Sequence, residues 1–197
     1  MKLYDLTLSG NCHKVRLFLS LIGQPVELVP VNLLAGEHKQ LAFREINPRG
    51  QIPVLEDGDF RLGDSQAILV YLAQRYANEW YPQDAETQGH IANWLSFAAN
   101  EVQHGPATVR LGKLFGRPID EPLAQARAAS ALRTLERHLA QHAWLAQTSE
   151  PTIADIAVYP NVALGGDGGL DLAAYPALQA WFARVRALPG YVGMPGL

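Results

Sequence analysis

Up to about residue 76, short apolar runs alternate with helical spacings, which is the pattern of a mixed α/β unit; beyond it only helical spacing remains. Leu3-Tyr4-Asp5-Leu6 and Pro25-Val26-Glu27-Leu28-Val29-Pro30-Val31 read as strands. Between them Val15, Phe18, Leu19 and Ile22 recur at the spacing of one helix face, and Gly23 marks where that helix ends. A second strand pair, Pro53-Val54-Leu55-Glu56 and Phe60-Arg61-Leu62, is joined across Asp57-Gly58-Asp59, which has the residues of a tight hairpin turn. Ser65 to Tyr76 then reads as a helix.

The resulting order, β-α-β-α-β-β-α, predicts a thioredoxin-like domain over residues 1–78. Asn78-Glu79-Trp80-Tyr81-Pro82 breaks the pattern, so 79–85 reads as a linker. The remainder, 86–197, reads as an all-helical bundle, with helical stretches near 84–104, 121–146, 152–164 and 176–187. Thr152-Ile153-Ala154-Asp155 is a capping box: Thr152 can accept from the amide of Asp155, and the Asp155 carboxylate can accept from the amide of Thr152. Gly165-Gly166-Asp167-Gly168-Gly169 reads as a flexible loop and not as a phosphate cradle, because no strand precedes it and no P-loop Lys-Ser/Thr follows.

With 48% hydrophobic residues, the 197-residue chain can fill a core in one large or two small domains. Its 16 Lys and Arg against 19 Asp and Glu give none of the basic excess that a nucleic-acid partner requires. No apolar run reaches the roughly 18 residues of a membrane span. Cys12 is the only cysteine, which excludes an internal disulfide framework and a four-thiolate zinc site; no metal is expected, and a reducing compartment, the cytoplasm, fits.

Three places could carry chemistry. Ser9-Gly10-Asn11-Cys12 joins the first strand to the first helix, where a helix N-terminus stabilises anions and thiolates. Ser9 could donate its hydroxyl to a bound thiolate, Asn11 its amide, and Cys12 would have its own pKa lowered; alternatively Ser9 or Asn11 is only a cap and Cys12 a small buried apolar group. Pro53 opens a strand after the β-branched Ile52. A cis bond there would leave the Ile52 backbone free to pair with an extended peptide, whereas an ordinary turn proline would not. Asp64-Ser65 precedes a helix, so Ser65 and the free amides could hold a carboxylate and Asp64 an ammonium, unless Asp64 is simply an N-cap. His38 and Lys39 could meet a second carboxylate, and Gln51 could hydrogen-bond it; taken singly, these residues, like Arg44 and Arg49, read as solvated surface groups.

Taken together, these segments resemble the glutathione transferase superfamily, in particular its bacterial theta-like and nu-like branches. The resemblance covers nearly the whole chain. It rests on Ser9 to Arg16, Gly36-Glu37-His38, Asn47 to Leu55, Asp64 to Ile68, Thr152 to Asp155, and Tyr175-Pro176-Ala177-Leu178 with Leu188-Pro189-Gly190-Tyr191. It implies that glutathione is the bound substrate. The residue matching Ile52 pairs with the cysteinyl backbone beside a cis Pro53, Asp64-Ser65 holds the γ-glutamyl end, and His38 and Gln51 take the glycine carboxylate. Theta-like members activate the thiol with a serine matching Ser9, nu-like members with a threonine and an asparagine matching Asn11, and beta-like members use a cysteine matching Cys12; this sequence has features of all three. Tyr4 lies inside a predicted strand, away from the loop. The expected activity is attack of the glutathione thiolate on a hydrophobic electrophile. Disulfide or peroxide reduction and a non-catalytic binding role are the alternatives, and a homodimer is the usual assembly. The second-substrate pocket is expected near His104, Leu111 and Phe115, where Gly105-Pro106 interrupts a helix.

Overall fold

The computed structural model describes residues 1–197. Its first part holds strands β1 (Lys2–Asp5), β2 (Glu27–Pro30), β3 (Val54–Asp57) and β4 (Phe60–Gly63) in one sheet of order β2-β1-β3-β4. β1 runs parallel to β2 and antiparallel to β3, and β3 and β4 form the predicted hairpin. Helices α1 (Gly10–Leu21), α2 (Leu41–Ile46) and α3 (Ser65–Tyr76) complete the order β-α-β-α-β-β-α that the sequence predicts.

Local chemistry fixes the ends of α1. Ser9 caps its start by accepting from the Cys12 amide. At the other end Gly23 turns to φ 65°, its amide donates to the Ser20 carbonyl, and the Gln24 amide donates to that of Leu19, which makes a Schellman motif. A side chain at Gly23 would be strained in that left-handed backbone.

The second part contains α4 (Ala85–Phe97), a π-helical stretch (Ala98–Ala107), α5 (Thr108–Phe115), α6 (Glu121–Leu139), α7 (Ile153–Ala163) and α8 (Pro176–Arg186). Three expectations are corrected here. The helix near 84–104 does not stop at Gly105-Pro106; it widens into the π-helical turns, carries Pro106 inside them and continues as α5. The helix foreseen over 121–146 ends at Leu139: the Gln141 and His142 amides both turn back onto the His138 carbonyl, and farther on the Leu145 amide donates to the Asp155 carboxylate. The Gly-rich segment is a short 3₁₀ turn over Leu164–Gly168, and Gly168 sits so close to Val109 and Arg110 that a Cβ would crowd both.

α7 joins the two parts. All eleven of its residues are buried, and it packs on α1 and α3 on one side and on α4 and the π-helical stretch on the other. A single apolar cluster therefore runs from Leu3, Val15 and Phe18 through Ile156 and Val162 to Trp181 and Val185. On the opposite sheet face α2 covers a small separate cluster of Val31, Phe43 and Val54. No helix is long and apolar enough to cross a membrane, and no three His, Cys, Asp or Glu side chains gather to hold a metal ion.

Candidate functional site

Two cavities meet at the start of α1. The first is a cleft of about 510 Å³ whose walls are mostly polar. Ile52 and Pro53 form its floor, joined by a cis peptide bond. Asp64, Ser65 and Gln66 stand at one end, and His38, Lys39 and Gln51 also face it. Every residue that the sequence assigned to glutathione thus borders one space.

Asp64 reaches its place through a backbone turned to φ 79°, which a residue with a side chain seldom adopts. That turn lets its carboxylate accept from the amides of Gln66 and Ala67 and so cap α3. The second carboxylate oxygen is left over for a cation. Ser65 is buried beside it and donates to Gln66 Oε1 at 2.6 Å. Lys39 donates to the Gly50 carbonyl at 3.0 Å. Burial holds the His38 imidazole below its usual pKa, assisted by the nearby positive charges of Lys39 and Arg117. At neutral pH His38 is therefore a neutral hydrogen-bonding group.

The second cavity, about 300 Å³, is lined largely by apolar side chains, among them Leu33, Leu111 and Phe115. Ser9 and Asn11 border both cavities and stand where the polar cleft opens into the apolar pocket. Ser9 Oγ accepts from the Cys12 amide at 3.2 Å, which leaves its own proton free to donate. Asn11 is held from the helical part: its Nδ2 donates to Gln103 Oε1 at 3.2 Å, and its Oδ1 accepts from Asn161. The neighbouring backbone is held as well, since Arg110, paired with Asp167, donates from Nη1 to the Leu8 carbonyl at 2.8 Å.

Two expected residues lie elsewhere. Cys12 occupies the first turn of α1, is fully buried and borders neither cavity. Burial pushes its thiol up to about 12, against the smaller downward pull of the Ser9 hydroxyl, so the lowering expected at a helix start is reversed. His104 is exposed and lines neither cavity; its neighbour Gln103 lines both, because the wide π-helical turns present residue 103 to the loop. Leu111 and Phe115 do line the apolar pocket.

Gln103, Asn161 and Arg110 were not singled out from the sequence. A signal existed for Asn161: beyond the capping Asp155 it is the only amide or charged side chain in the run Ile153–Ala163, and a buried amide needs partners. Gln103 lies in a polar stretch and gave none.

A family model described as "Glutathione S-transferase, N-terminal domain" matches residues 3–80, and one described as "Glutathione S-transferase, C-terminal domain" matches residues 78–184. Among curated relatives, glutathione S-transferase theta-1 of Bos taurus is 31% identical over 98% of this chain and 85% of its own. Glutathione S-transferase theta-2B of Homo sapiens is 34% identical over 92% and 79%. The crystal structure of a glutathione S-transferase from Pseudomonas fluorescens superposes with a TM-score of 0.92 at 34% identity, covering 98% of each chain. A glutathione transferase homologue from Drosophila mojavensis, solved with bound glutathione, gives 0.86 at 27% identity over 95% of this chain and 88% of that one.

Proposed function

The chain belongs to the glutathione S-transferase family, and from that premise we propose that it is an enzyme that binds glutathione in the polar cleft, ionises its thiol and directs the thiolate at an electrophile in the apolar pocket. The observation that carries this reading is the position of Ser9 and Asn11 at the junction of the two cavities. A glutathione lying along Ile52 has its ammonium near Asp64, its γ-glutamyl carboxylate at Ser65 and its glycine carboxylate toward His38 and Gln51. Its sulfur then lies at the junction. The Ser9 hydroxyl and an Asn11 N–H donate to the thiolate, and the thiol proton leaves to solvent. The sulfur bonds to the electrophilic carbon, and the leaving group departs with its electron pair.

A shift of about two units ionises about half of a thiol whose free pKa is about 9 at pH 7, and a shift of about three units ionises about nine-tenths of it. The test is an ultraviolet titration of the thiolate of bound glutathione together with conjugation rates. Ser9→Ala is expected to raise the bound thiol pKa by about one unit and to slow turnover by about tenfold or more. An unchanged titration and rate would remove Ser9 from the mechanism.

The working division is a glutathione-binding unit at 1–78, a linker at 79–85 and a helical unit at 86–197. A cytoplasmic homodimer, with the first unit of one copy packed on the second unit of the other, completes the proposal; light scattering tests the assembly.

A further inference from the structure

The apolar pocket has an unusual charge balance. None of its fifteen lining residues is an aspartate or glutamate, yet two are arginines, Arg110 and Arg117. They are not equivalent. Arg110 is 4% exposed and largely committed: Nε donates to Asp167 Oδ2 at 3.0 Å and Nη1 to the Leu8 carbonyl. Asp167 neutralises it, and only Nη2 lacks a partner.

Arg117 follows Gly116, whose φ of 60° ends α5, and it is exposed and belongs to none of the protein's ion pairs. It borders both cavities and carries a full charge beside Leu111 and Phe115, the apolar face of the same helix. In the polar cleft His38, Lys39 and Gln51 face the space assigned above to the glycine carboxylate, with Arg117 near enough to His38 to help lower its pKa. The Arg117 fork is thus a free anion-binding group at the mouth of an apolar pocket with no competing acid.

Resting on the glutathione reading above, we propose that the second substrate is an apolar, benzenoid-sized electrophile that bears a carboxylate, its body lying against Leu111 and Phe115 and its carboxylate on Arg117. The carboxylate is bound and not consumed; the sulfur–carbon bond forms elsewhere on the same molecule. A neutral electrophile of the same shape fills the pocket but leaves Arg117 solvated.

Binding of two conjugates tests this without turnover. The affinities of S-benzylglutathione and S-(4-carboxybenzyl)glutathione are measured by calorimetry on the full chain, wild type and Arg117→Gln, with glutathione alone as the reference. The wild type is expected to bind the carboxylate conjugate about tenfold more tightly, with the preference shrinking at high salt, and the ratio is expected to fall to about one in Arg117→Gln. Equal affinities in the wild type overturn the proposal while leaving the glutathione reading intact. A preference that survives in Arg117→Gln overturns the role given to Arg117. If neither glutathione nor either conjugate binds the wild type, the glutathione reading falls and this proposal with it.

Discussion

Asn161 Nδ2 donates to Asn11 Oδ1 at 2.8 Å, joining residues 150 positions apart in the chain. The bond decides which end of the Asn11 carboxamide can act. With its oxygen engaged by Asn161 and one N–H given to Gln103, Asn11 has one N–H left to offer, so it meets the cavities as a donor. Asn161→Asp supplies only acceptors, which turns the Asn11 amide over and exposes its carbonyl oxygen. The bound glutathione thiol is then expected to titrate about one unit higher than in the wild type. Asn161→Ala, which removes the constraint without reversing it, is expected to have the smaller effect. A titration of Asn161→Asp that overlies the wild type would detach Asn11 from the thiol. The same packing explains Gly10, where a Cβ would overlap Asn161 Oδ1.

Cys12 is expected to be inert in the folded protein. Fully buried and with its thiol pushed up to about 12 by burial, it has almost no thiolate at pH 8. An aromatic disulfide reagent should therefore modify no thiol in native protein and one per chain in guanidinium. Incubation with oxidised glutathione should leave no adduct by mass spectrometry. Rapid labelling of the native chain would return Cys12 to the list of thiol-chemistry candidates.

Lys14 makes stability depend on pH. It is completely buried, its Nζ has no hydrogen-bond partner, and burial pushes it down to about 7, opposed only in part by the Asp64 charge. Between about pH 7 and the unfolded value near 10.5 the unfolded chain holds a proton that the folded chain lacks, so this group makes stability rise with pH. Below pH 7 the folded state carries the full cost of a buried ammonium. Lys14→Met is expected to raise the melting temperature, most at pH 6 and least near pH 10. An equal shift at both pH values would mean that Lys14 is not desolvated.

Asp155 runs in the opposite direction. Its buried carboxyl is raised to about 6 by desolvation, against the hydrogen bonds it accepts from Thr152, Leu145 and Trp181 Nε1. The folded state therefore binds the extra proton, and this group's contribution falls as pH rises from about 4 to 6. Asp155→Ala removes a capping box and leaves a buried indole N–H and two buried amides without their acceptor, at an expected cost of about 3–5 kcal/mol. Asp155→Asn, which keeps one oxygen, should cost less. Equilibrium denaturation at pH 7 measures both, and a loss below about 1 kcal/mol would show that other groups replace the carboxylate.

The readable parts of this fold were those written in local chemistry. Strand alternation, the Gly23 terminator, the Asp57-Gly58-Asp59 turn and the Thr152 box each depend on neighbours within a few residues, and each is where the pattern put it. The misread parts depend on what packs from far away. Helical spacing continues past Leu139, but a carboxylate from α7 takes the Leu145 amide. Gly105 and Pro106 look like a break, yet the π-helical turns accommodate the proline, and Gly105 lets the backbone of Ala128 approach closely. Cys12 sits at the helix start as foreseen, but the sequence cannot show that it faces the interior, and that decides its pKa. That Asp64-Ser65 and Ile52-Pro53 border one cleft was legible because each is a local device, a cap and an X-Pro step; Gln103 and Asn161 are placed only through a partner in the other half of the chain.

Arg110, Gln103 and Asn161 all reach across to the segment Leu8–Asn11, so the helical half fastens the loop that carries the proposed thiol-activating groups. Shuffling of the two halves between distant relatives is constrained accordingly. A chimera could retain both folds and a well-formed peptide cleft, yet inherit an N-terminal loop whose fastenings no longer match. The geometry of the Leu8–Asn11 loop is therefore set as much by a few positions of the helical half as by the loop's own sequence.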